Sequence, residues 1–336
     1  MSKVLILTDG KAGHENQSKA FARALGCEFD LVEVHFKSKF HKALSYLFDR
    51  CGIRSLAFHK NATTKNAGNT KDLCDLCVLC GSRRYSGVIG TGSGTFYAAK
   101  AMAKKLGVKC GVVLYPRGYD IASFDCVLAP AFDRPKAAAN VIEIPANLVA
   151  NDEAFYAKGI EDFKAHYGKC SNVGMFECSN AIAVIIGGPN KCSMMTPEWM
   201  KAQLDAIFNR TIEQSEQSNN AQYWVTTSRR TPPEVEAVVD SYPWDYRLIY
   251  SKDHFNPIPA FVKLAKKLYV TAESTGMLSE ACTFGNAEVV ALDNLNPGPH
   301  KFRRFVEDLR AGGYVDGNRK VDLSAQFAKA KTLMGL

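Results

Sequence analysis

Short apolar runs alternate with longer amphipathic segments along most of the 336-residue chain. In the first half, the segments 16–25 and 95–106 have helical spacing and each is followed by a glycine. The apolar runs there are Val4–Thr8, Phe29–Phe36, Gly87–Gly90, Gly111–Tyr115, Asp125–Ala129 and Val141–Ile144. Strands that alternate with helices are typical of parallel sheets whose faces are covered by helices. The pattern therefore predicts an α/β fold.

A charged helical segment without strands, residues 151–180, separates this half from a second set of alternations. The apolar runs of that set are Ala181–Ile186, Tyr223–Thr227, Tyr246–Ile249, Leu268–Thr271 and Glu288–Leu292. We therefore predict two Rossmann-like domains that face each other across a cleft, residues 1–172 and 173–320. A C-terminal helix within 321–336 is expected to pack back on the N-terminal domain.

The composition, with 46% apolar and 23% charged residues, is typical of an ordinary globular protein. No apolar run approaches the length of a membrane-spanning helix, and the chain enters a strand directly after Met1, so we expect a cytoplasmic protein. Among the eleven cysteines, Cys74, Cys77 and Cys80 have the spacing of metal or iron–sulfur ligands. Because no fourth ligand lies nearby, a thiol-rich helix is the favoured interpretation, and metal is not expected.

The net charge of +8 is concentrated in residues 36–60, which hold six basic residues and one acidic residue, Asp49. Aromatic and aliphatic residues are interleaved with these charges. Such a stretch suits an anionic membrane surface or a lipid-phosphate substrate. The alternative, which we favour, is a helix that buries Phe40, Leu44, Leu47 and Phe48 on the sheet and keeps a solvated basic side.

Three strand-to-helix turns in the second half are typical of phosphate binding. The turn after 181–186 contains Gly187 and Gly188, which let a ligand approach the backbone. The next turn carries hydroxyl and guanidinium groups that can neutralise a diphosphate, in Ser228, Arg229 and Arg230. Since the carboxyl ends of parallel strands share one edge, these turns are expected to lie together.

The third turn opens a helix at Ser274, Thr275, Gly276 and Met277, where free backbone N–H groups favour an anion. Glu280, about a turn further along, can bind a sugar hydroxyl beside that anion. Each turn alone is also explained as a tight turn with a helix cap. Their combination in one domain favours a ligand site.

The first half has two glycine turns of its own. The first, Asp9-Gly-Lys-Ala-Gly-His14, is neither a Rossmann fingerprint nor a P-loop. His14 is a candidate general base with Asp9 beside it. A histidine that only stabilises the loop by hydrogen bonds would show the same pattern. The second turn, Gly92-Ser-Gly94, precedes a helix and can hold an acceptor phosphate, and Arg117 lies at another strand end. The chain has no Asp-x-Asp pair, so a leaving diphosphate need not be held by a divalent ion.

At these residues the chain resembles the mitochondrial-fission "elongated mitochondria" family, from residue 5 to about 315. The matching motifs are Asp9-Gly-Lys-Ala-Gly-His14 with Gln17, Ile186-Gly-Gly-Pro189, Thr227-Ser-Arg-Arg-Thr-Pro232, Asn256-Pro257 and Val270-Thr-Ala-Glu-Ser-x-x-Met-x-Ser-Glu-Ala281. The family is similar to GT-B glycosyltransferases, which have two Rossmann-like domains and hold a sugar nucleotide mainly in the second. The resemblance implies a diphosphate and ribose site at 274–280. Together with the turns of the first half, we take as acceptor-side candidates Gly10, Gly13, Gln17, Gly92, Ser93, Gly94 and Arg117.

The chain also departs from the family pattern. Tyr115 stands where an aspartate is expected before Pro-Arg, and Phe132 replaces a histidine, so no catalytic histidine lies in the 130s. Ile258 replaces a tyrosine after Asn256-Pro257. The plant member recruits a dynamin-related protein to mitochondria, but this chain is similar to the bacterial forms, so the fission role is not carried over.

Three hypotheses follow. The first is a metal-independent GT-B glycosyltransferase that needs no cofactor and moves a sugar from a nucleotide donor to a cell-envelope acceptor. The second is a GT-B-shaped adaptor that recruits a membrane-remodelling partner. The third, an NAD-dependent epimerase, lacks the first-turn fingerprint. We expect no nucleic-acid partner and a lipid-linked or anionic acceptor at the inner membrane face, met through residues 36–60.

Overall fold

The computed structural model describes residues 2–60, 63–64, 85–170, 180–214 and 221–336. The cysteines at 74, 77 and 80 lie outside these ranges, so the hypothesis about them stays open. The chain divides into two compact units. The first unit is Met1–Ala150 with Asp322–Leu336, and the second unit is Asn151–Val321.

The first unit contains a seven-stranded sheet in the order β3-β2-β1-β4-β5-β6-β7. Only β3 is antiparallel to its neighbour. The strands are Lys3–Thr8 (β1), Glu28–Glu33 (β2), Thr63–Thr64 (β3), Gly87–Thr91 (β4), Lys109–Val113 (β5), Cys126–Pro130 (β6) and Val141–Ile144 (β7). The first helices are Ala12–Ala24 (α1), Lys39–Arg50 (α2) and Phe96–Leu106 (α3). The inner strands are buried along their length because helices cover both faces, which explains their continuous apolar runs.

The second unit contains five parallel strands in the order β10-β9-β8-β11-β12. These strands are Ala181–Ile185 (β8), Gln222–Thr226 (β9), Tyr246–Leu248 (β10), Lys267–Thr271 (β11) and Glu288–Leu292 (β12). Its helices are Glu153–Cys170 (α4), Pro197–Gln214 (α5), Pro233–Asp240 (α6), Ile258–Leu264 (α7), Thr275–Phe284 (α8) and Lys301–Ala311 (α9). Two Rossmann-like α/β units with parallel sheets confirm the predicted fold class.

The division between the units falls after Ala150, whereas the sequence pattern suggested 172. The reason is α4, whose apolar side packs on the second sheet. The ring of Phe163 lies 4.7 Å from Tyr246 and 5.1 Å from Trp224, centroid to centroid. This helix therefore belongs to the second unit.

The last helix, Ser324–Met334 (α10), returns to the first unit and contacts β5, β6 and β7. Its buried Met334 side chain fills the space left by two strand glycines. A Cβ atom at Gly87 or Gly111 would lie 3.0 Å from the end of that side chain. These glycines thus let α10 pack directly on the backbone of the sheet.

Helix α2 is attached to the first unit by a buried ion pair. The Lys100 Nζ lies 2.8 Å and 3.0 Å from the two carboxylate oxygens of Asp49, and both side chains are buried. The Asp120 N–H donates to the same carboxylate at 2.7 Å, and Arg54 adds a second cation at 3.1 Å. Burial lowers the pKa of Lys100, and the Asp49 carboxylate opposes that shift. Helices α2 and α3 are therefore joined by charge as well as by apolar contact.

This attachment contradicts the favoured expectation for residues 36–60. Phe40 and Leu47 were expected on the buried face, but they are 69% and 57% exposed. Leu44 and Phe48 are half-buried, as a face directed at the unit requires. The helix is rotated because the fully buried positions are the polar Ser45 and Asp49, whose partners lie in the unit.

Replacing Asp49 by alanine should lower the free energy of unfolding by about 3–5 kcal/mol, because the Lys100 ammonium then stays buried without its carboxylate. Urea denaturation measures the change. The double variant Asp49→Leu/Lys100→Met should recover only part of the loss, because the Asp120 N–H and Arg54 also lose the carboxylate. Asp162→Ala breaks an exposed ion pair with Lys158 and should cost under about 1 kcal/mol. Equal losses for Asp49→Ala and Asp162→Ala would contradict this account.

Candidate functional site

Both units carry their glycine turns where the strand order reverses. In the first sheet, β1 leads toward β2 on one side while its other neighbour β4 leads toward β5. In the second sheet the corresponding neighbours are β8 and β11. The loops leaving such a strand pair diverge to opposite faces, which opens a crevice at the carboxyl edge of the sheet. Ligands of open α/β sheets bind in this crevice, so these two edges are the candidate sites.

At the first edge, Asp9 and His14 form a hydrogen-bonded pair. The His14 Nδ1 lies 3.0 Å and 3.1 Å from the two carboxylate oxygens of Asp9, and the Lys11 Nζ lies 2.8 Å from one of them. Burial alone would raise the pKa of Asp9, but the hydrogen bonds and charges of His14 and Lys11 outweigh it and hold the pKa well below its usual range. An ionised Asp9 fixes the ring through Nδ1 and leaves Nε2 as the nitrogen for chemistry.

The Gly92–Gly94 turn, which follows β4, packs against Asp9 and His14 so closely that its two glycines have no room for a side chain. A Cβ atom at Gly92 would lie 2.4 Å from His14 Cε1, and one at Gly94 would lie 2.8 Å from the Cβ of Asp9. Gly92 also has a φ of +81°, which disfavours other residues. Between them, the Ser93 hydroxyl accepts a hydrogen bond from the Lys42 Nζ at 2.8 Å. The fold thus brings together Asp9, His14 and the Gly92–Gly94 turn, which the sequence proposed separately.

The other first-half candidates differ in position. Gly10 has a φ of +80°, and a Cβ atom there would lie 2.7 Å from the carboxylate of Glu33, whereas one at Gly13 would meet nothing within 4 Å. The Gln17 Oε1 is buried without a hydrogen-bond partner among the described residues. Arg117 donates to the carbonyl of Asp133 from an exposed position. Among the described residues, its side chain contacts Asp133, which follows β6, and the Tyr115 ring rather than the Asp9–His14 pair.

At the second edge, three loops meet around Gly187 and Gly188. The Gly187 N–H donates to the Thr271 hydroxyl at 2.9 Å, and its carbonyl accepts from the Thr231 hydroxyl at 2.6 Å. A Cβ atom at Gly187 would lie 2.1 Å from Glu273, and one at Gly188 would lie 2.3 Å from the backbone of Arg230. The predicted convergence of the loops after β8, β9 and β11 is therefore present in the structure.

Two groups at this edge carry positive charge or free donors. The side chains of Arg229 and Arg230 are exposed and form no ion pair within the described part of the chain. Helix α8 begins after Ser274 with no side-chain cap, and its first internal hydrogen bond runs from Leu278 to Ser274. Among the described residues, the amides of Gly276 and Met277 donate to no acceptor. Free first-turn amides attract anions.

Glu280 lies further along α8, and its carboxylate is held by residues of α4 and its approach. The Tyr156 hydroxyl donates to Oε1 at 2.9 Å, and the Asn151 Nδ2 donates to the same oxygen at 3.0 Å. Burial raises the pKa of Glu280, while these two donors oppose the shift. The carboxylate thus joins α8 to α4, and its second oxygen receives no hydrogen bond from a described residue.

The model of the family described as Mitochondrial fission ELM1 matches residues 12–329. The chain belongs to this family. No curated protein matches the sequence.

Solved structures resemble this family member only distantly. Neisseria meningitidis UDP-GlcNAc 2-epimerase bound to UDP-GlcNAc has 11% identity and a TM-score of 0.49, with 99% of this chain and 98% of that chain covered. The Methanocaldococcus jannaschii UDP-GlcNAc 2-epimerase has 11% identity and a TM-score of 0.46, with both chains fully covered. Acinetobacter baumannii MurG has 11% identity and a TM-score of 0.44, with 99% and 91% covered. At this distance the likeness bears on neither activity nor ligand.

Sequence analysis missed two buried polar residues at the second edge of this family member. Glu273 and Asn294, which follow β11 and β12, are 3% and 2% exposed. The Glu273 Oε2 and both amide atoms of Asn294 lack hydrogen-bond partners among the described residues. Burial raises the pKa of Glu273, and nearby Asn294 and Thr271 oppose the shift. The sequence offered two signals, a polar residue soon after an apolar run, which also describes an ordinary turn, and for Glu273 its place in the family motif.

The raised pKa of Glu273 predicts a pH-dependent stability. The native state holds this proton more tightly than the unfolded chain, so the stabilisation is complete below the ordinary carboxyl pKa and is lost as the pH rises through the native value. Glu273→Gln should remove this component, and the amide oxygen can still accept from Thr271. Urea unfolding at pH 7 and at mildly acidic pH measures it, with exposed Glu307→Gln as the control. An unchanged pH slope in Glu273→Gln would contradict the assignment.

Proposed function

We propose that this protein is a GT-B-like glycosyltransferase that transfers a sugar from a nucleotide-sugar donor to a cell-envelope acceptor. The observation that supports it best is the second edge. There, Gly187 and Gly188 bring two backbones into contact beside free first-turn amides and two exposed arginines. Such a combination suits a diphosphate, because amides and guanidinium groups can bind its oxygens from several directions. These groups can stabilise the leaving diphosphate without a divalent ion.

In this proposal the donor binds to the second unit. Ser228, Arg229 and Arg230 contact the diphosphate together with the turn at Ser274–Met277. Glu280 accepts a hydrogen bond from a ribose hydroxyl through its second oxygen. Tyr156 and Asn151 hold the first oxygen and so orient the carboxylate. Gly187 and Gly188 allow the ligand to approach the strand ends.

The acceptor hydroxyl binds to the first unit near His14. Its proton moves to His14 Nε2, its oxygen forms a bond to the anomeric carbon, and the diphosphate leaves with the electron pair of the broken bond. Ionised Asp9 stabilises the imidazolium that results. The Gly92–Gly94 turn supplies backbone groups for the acceptor, with Gly10, Gly13, Gln17 and Arg117 as further candidates on that side. The acceptor is a lipid-linked or anionic molecule, met at the membrane surface through residues 36–60.

A thermal-shift titration tests donor binding. At least one of the uridine, guanosine, cytidine or thymidine diphosphates should raise the melting temperature in a concentration-dependent way. Arg229→Gln/Arg230→Gln should weaken that binding by at least about tenfold, because two charge-assisted contacts are lost. Lys104→Gln/Lys105→Gln removes the same charge from exposed positions of α3 and should bind as wild type does. Absence of any stabilisation in the wild type would contradict the donor site.

Transfer itself is tested with the two members of the first edge. The assay follows release of nucleoside diphosphate from the matching sugar nucleotide in the presence of membrane extract. His14→Asn and Asp9→Asn should each reduce the rate of release. For His14→Asn the reduction should be roughly 10²- to 10⁴-fold. Nucleotide binding should stay at the wild-type level, because both residues belong to the first unit. Wild-type turnover in His14→Asn would rule out its role as the base.

A second candidate function is an adaptor of the same fold that recruits a membrane-remodelling partner. The exposed apolar side chains of α2 support it, because an adaptor needs a surface on which a partner or a membrane can dock. This function predicts the same membrane contact without nucleotide binding, so the thermal-shift titration separates the two. The described residues contain no helix long and apolar enough to cross a membrane.

A further inference from the structure

The apolar face of α2 is the largest concentration of exposed apolar side chains in the described chain. Phe40, Leu47 and Ile53 account for three of the five large hydrophobic side chains that are exposed. Phe40 and Leu47, with Ala43 between them, follow the spacing of one helix face, and Ile53 comes shortly after the helix ends. We call Phe40, Ala43, Leu47 and Ile53 the α2 patch. Such a concentration of exposed apolar side chains marks an interaction surface.

The α2 patch is held outward by polar contacts on the opposite side of the helix. The Ser45 hydroxyl lies 3.0 Å from the hydroxyl of Tyr119, and Asp49 is held by Lys100. A helix that turned the patch inward would expose this buried ion pair and break both contacts. The outward direction is therefore fixed by the fold.

Positive charge surrounds the α2 patch. Lys37, Lys39, Arg50 and Lys60 are exposed and form no ion pair within the described residues. The single acidic residue of the stretch, Asp49, is buried and already paired with two cations. Glu33, which comes shortly before residues 36–60, pairs with His35 at 2.7 Å. The surface around the patch is consequently basic without a compensating carboxylate of its own.

We infer that the α2 patch docks on an anionic lipid bilayer, with Phe40, Leu47 and Ile53 at the boundary between headgroups and acyl chains. An amphipathic helix with basic flanks binds such membranes through apolar burial and electrostatic attraction together. A second copy of the chain would bring two unpaired basic rims into contact, which repel each other. The charge therefore favours an anionic surface as the occupant.

The membrane contact lies close to the first edge. Lys42, on the same helix, donates to the Ser93 hydroxyl within the Gly92–Gly94 turn that closes on His14. Docking of α2 would place this turn near the headgroups, so an acceptor there would be anchored in the bilayer. This last consequence rests on the proposed function, whereas the membrane contact does not.

Vesicle flotation tests the contact directly. Wild-type protein should float with vesicles of equal parts phosphatidylglycerol and phosphatidylcholine and stay behind with pure phosphatidylcholine. Phe40→Ser/Leu47→Ser should lower the partition coefficient by about tenfold or more. Lys37→Gln/Lys39→Gln/Arg50→Gln should lower it by roughly fivefold for each charge, and salt should weaken wild-type binding. The matched controls are Phe155→Ser/Met194→Ser, exposed apolar residues elsewhere, and Lys104→Gln/Lys105→Gln.

A positive readout complements these losses. Phe40→Trp should gain fluorescence quenching by brominated lipids, and Phe155→Trp should not. All the substituted side chains are exposed, so the melting temperatures should stay near wild type. Absence of flotation in the wild type, or wild-type flotation of Phe40→Ser/Leu47→Ser, would overturn the inference. So would a wild-type dimer in solution that Phe40→Ser/Leu47→Ser converts to a monomer, since a second copy would then cover the patch.

The vesicle and nucleotide experiments distinguish failure of the membrane contact from failure of the proposed function. Vesicle binding without nucleotide stabilisation would leave the inference standing and remove the donor site. Nucleotide stabilisation without vesicle binding would do the reverse. The α2 variants should retain wild-type nucleotide binding, because they belong to the first unit.

Discussion

Parallel strand pairing is the constraint on which the rest of this molecule depends. A parallel strand can follow its neighbour only through a crossover, so the carboxyl ends of all strands in a sheet lie at one edge. Helices then cover both faces, and the chain reverses its direction of winding at one pair of strands in each sheet, β1 with β4 and β8 with β11. The loops after these pairs contain the candidate groups, from Asp9 in one unit to Glu273 in the other. Residues about eighty positions apart meet there because the sheet permits no other arrangement.

Close approach of backbones at those edges explains the composition of the loops. At Gly92 and Gly187 a side chain would occupy space already filled by His14 or Glu273. The loops therefore pack backbone against backbone. Their polar side chains are held in position by hydrogen bonds to neighbouring residues. Asp9 holds His14, and Tyr156 holds Glu280, in the same manner. A site built in this way is preorganised before any ligand arrives.

Sequence pattern was sufficient for the convergence of the loops and for the described strands other than the two-residue β3, because strands buried on both faces leave a continuous apolar signal. It failed where the deciding partner is distant. The orientation of α2 depends on Lys100, 51 residues beyond Asp49, and no local periodicity reveals that pair. The unit to which α4 belongs depends in the same way on Trp224 and Tyr246. Glu273 and Asn294 were missed because burial of a polar residue after a strand is decided by the neighbouring loops.

The return of α10 to the first unit has a consequence for synthesis of the chain. Met334 fills the space over Gly87 and Gly111, so the first sheet is completed by a helix that is translated only after the whole second unit. The second unit is one continuous segment and can assemble as it leaves the ribosome, whereas the first unit keeps an uncovered sheet face until α10 emerges. Over that interval the nascent protein exposes apolar surface that chaperones can bind.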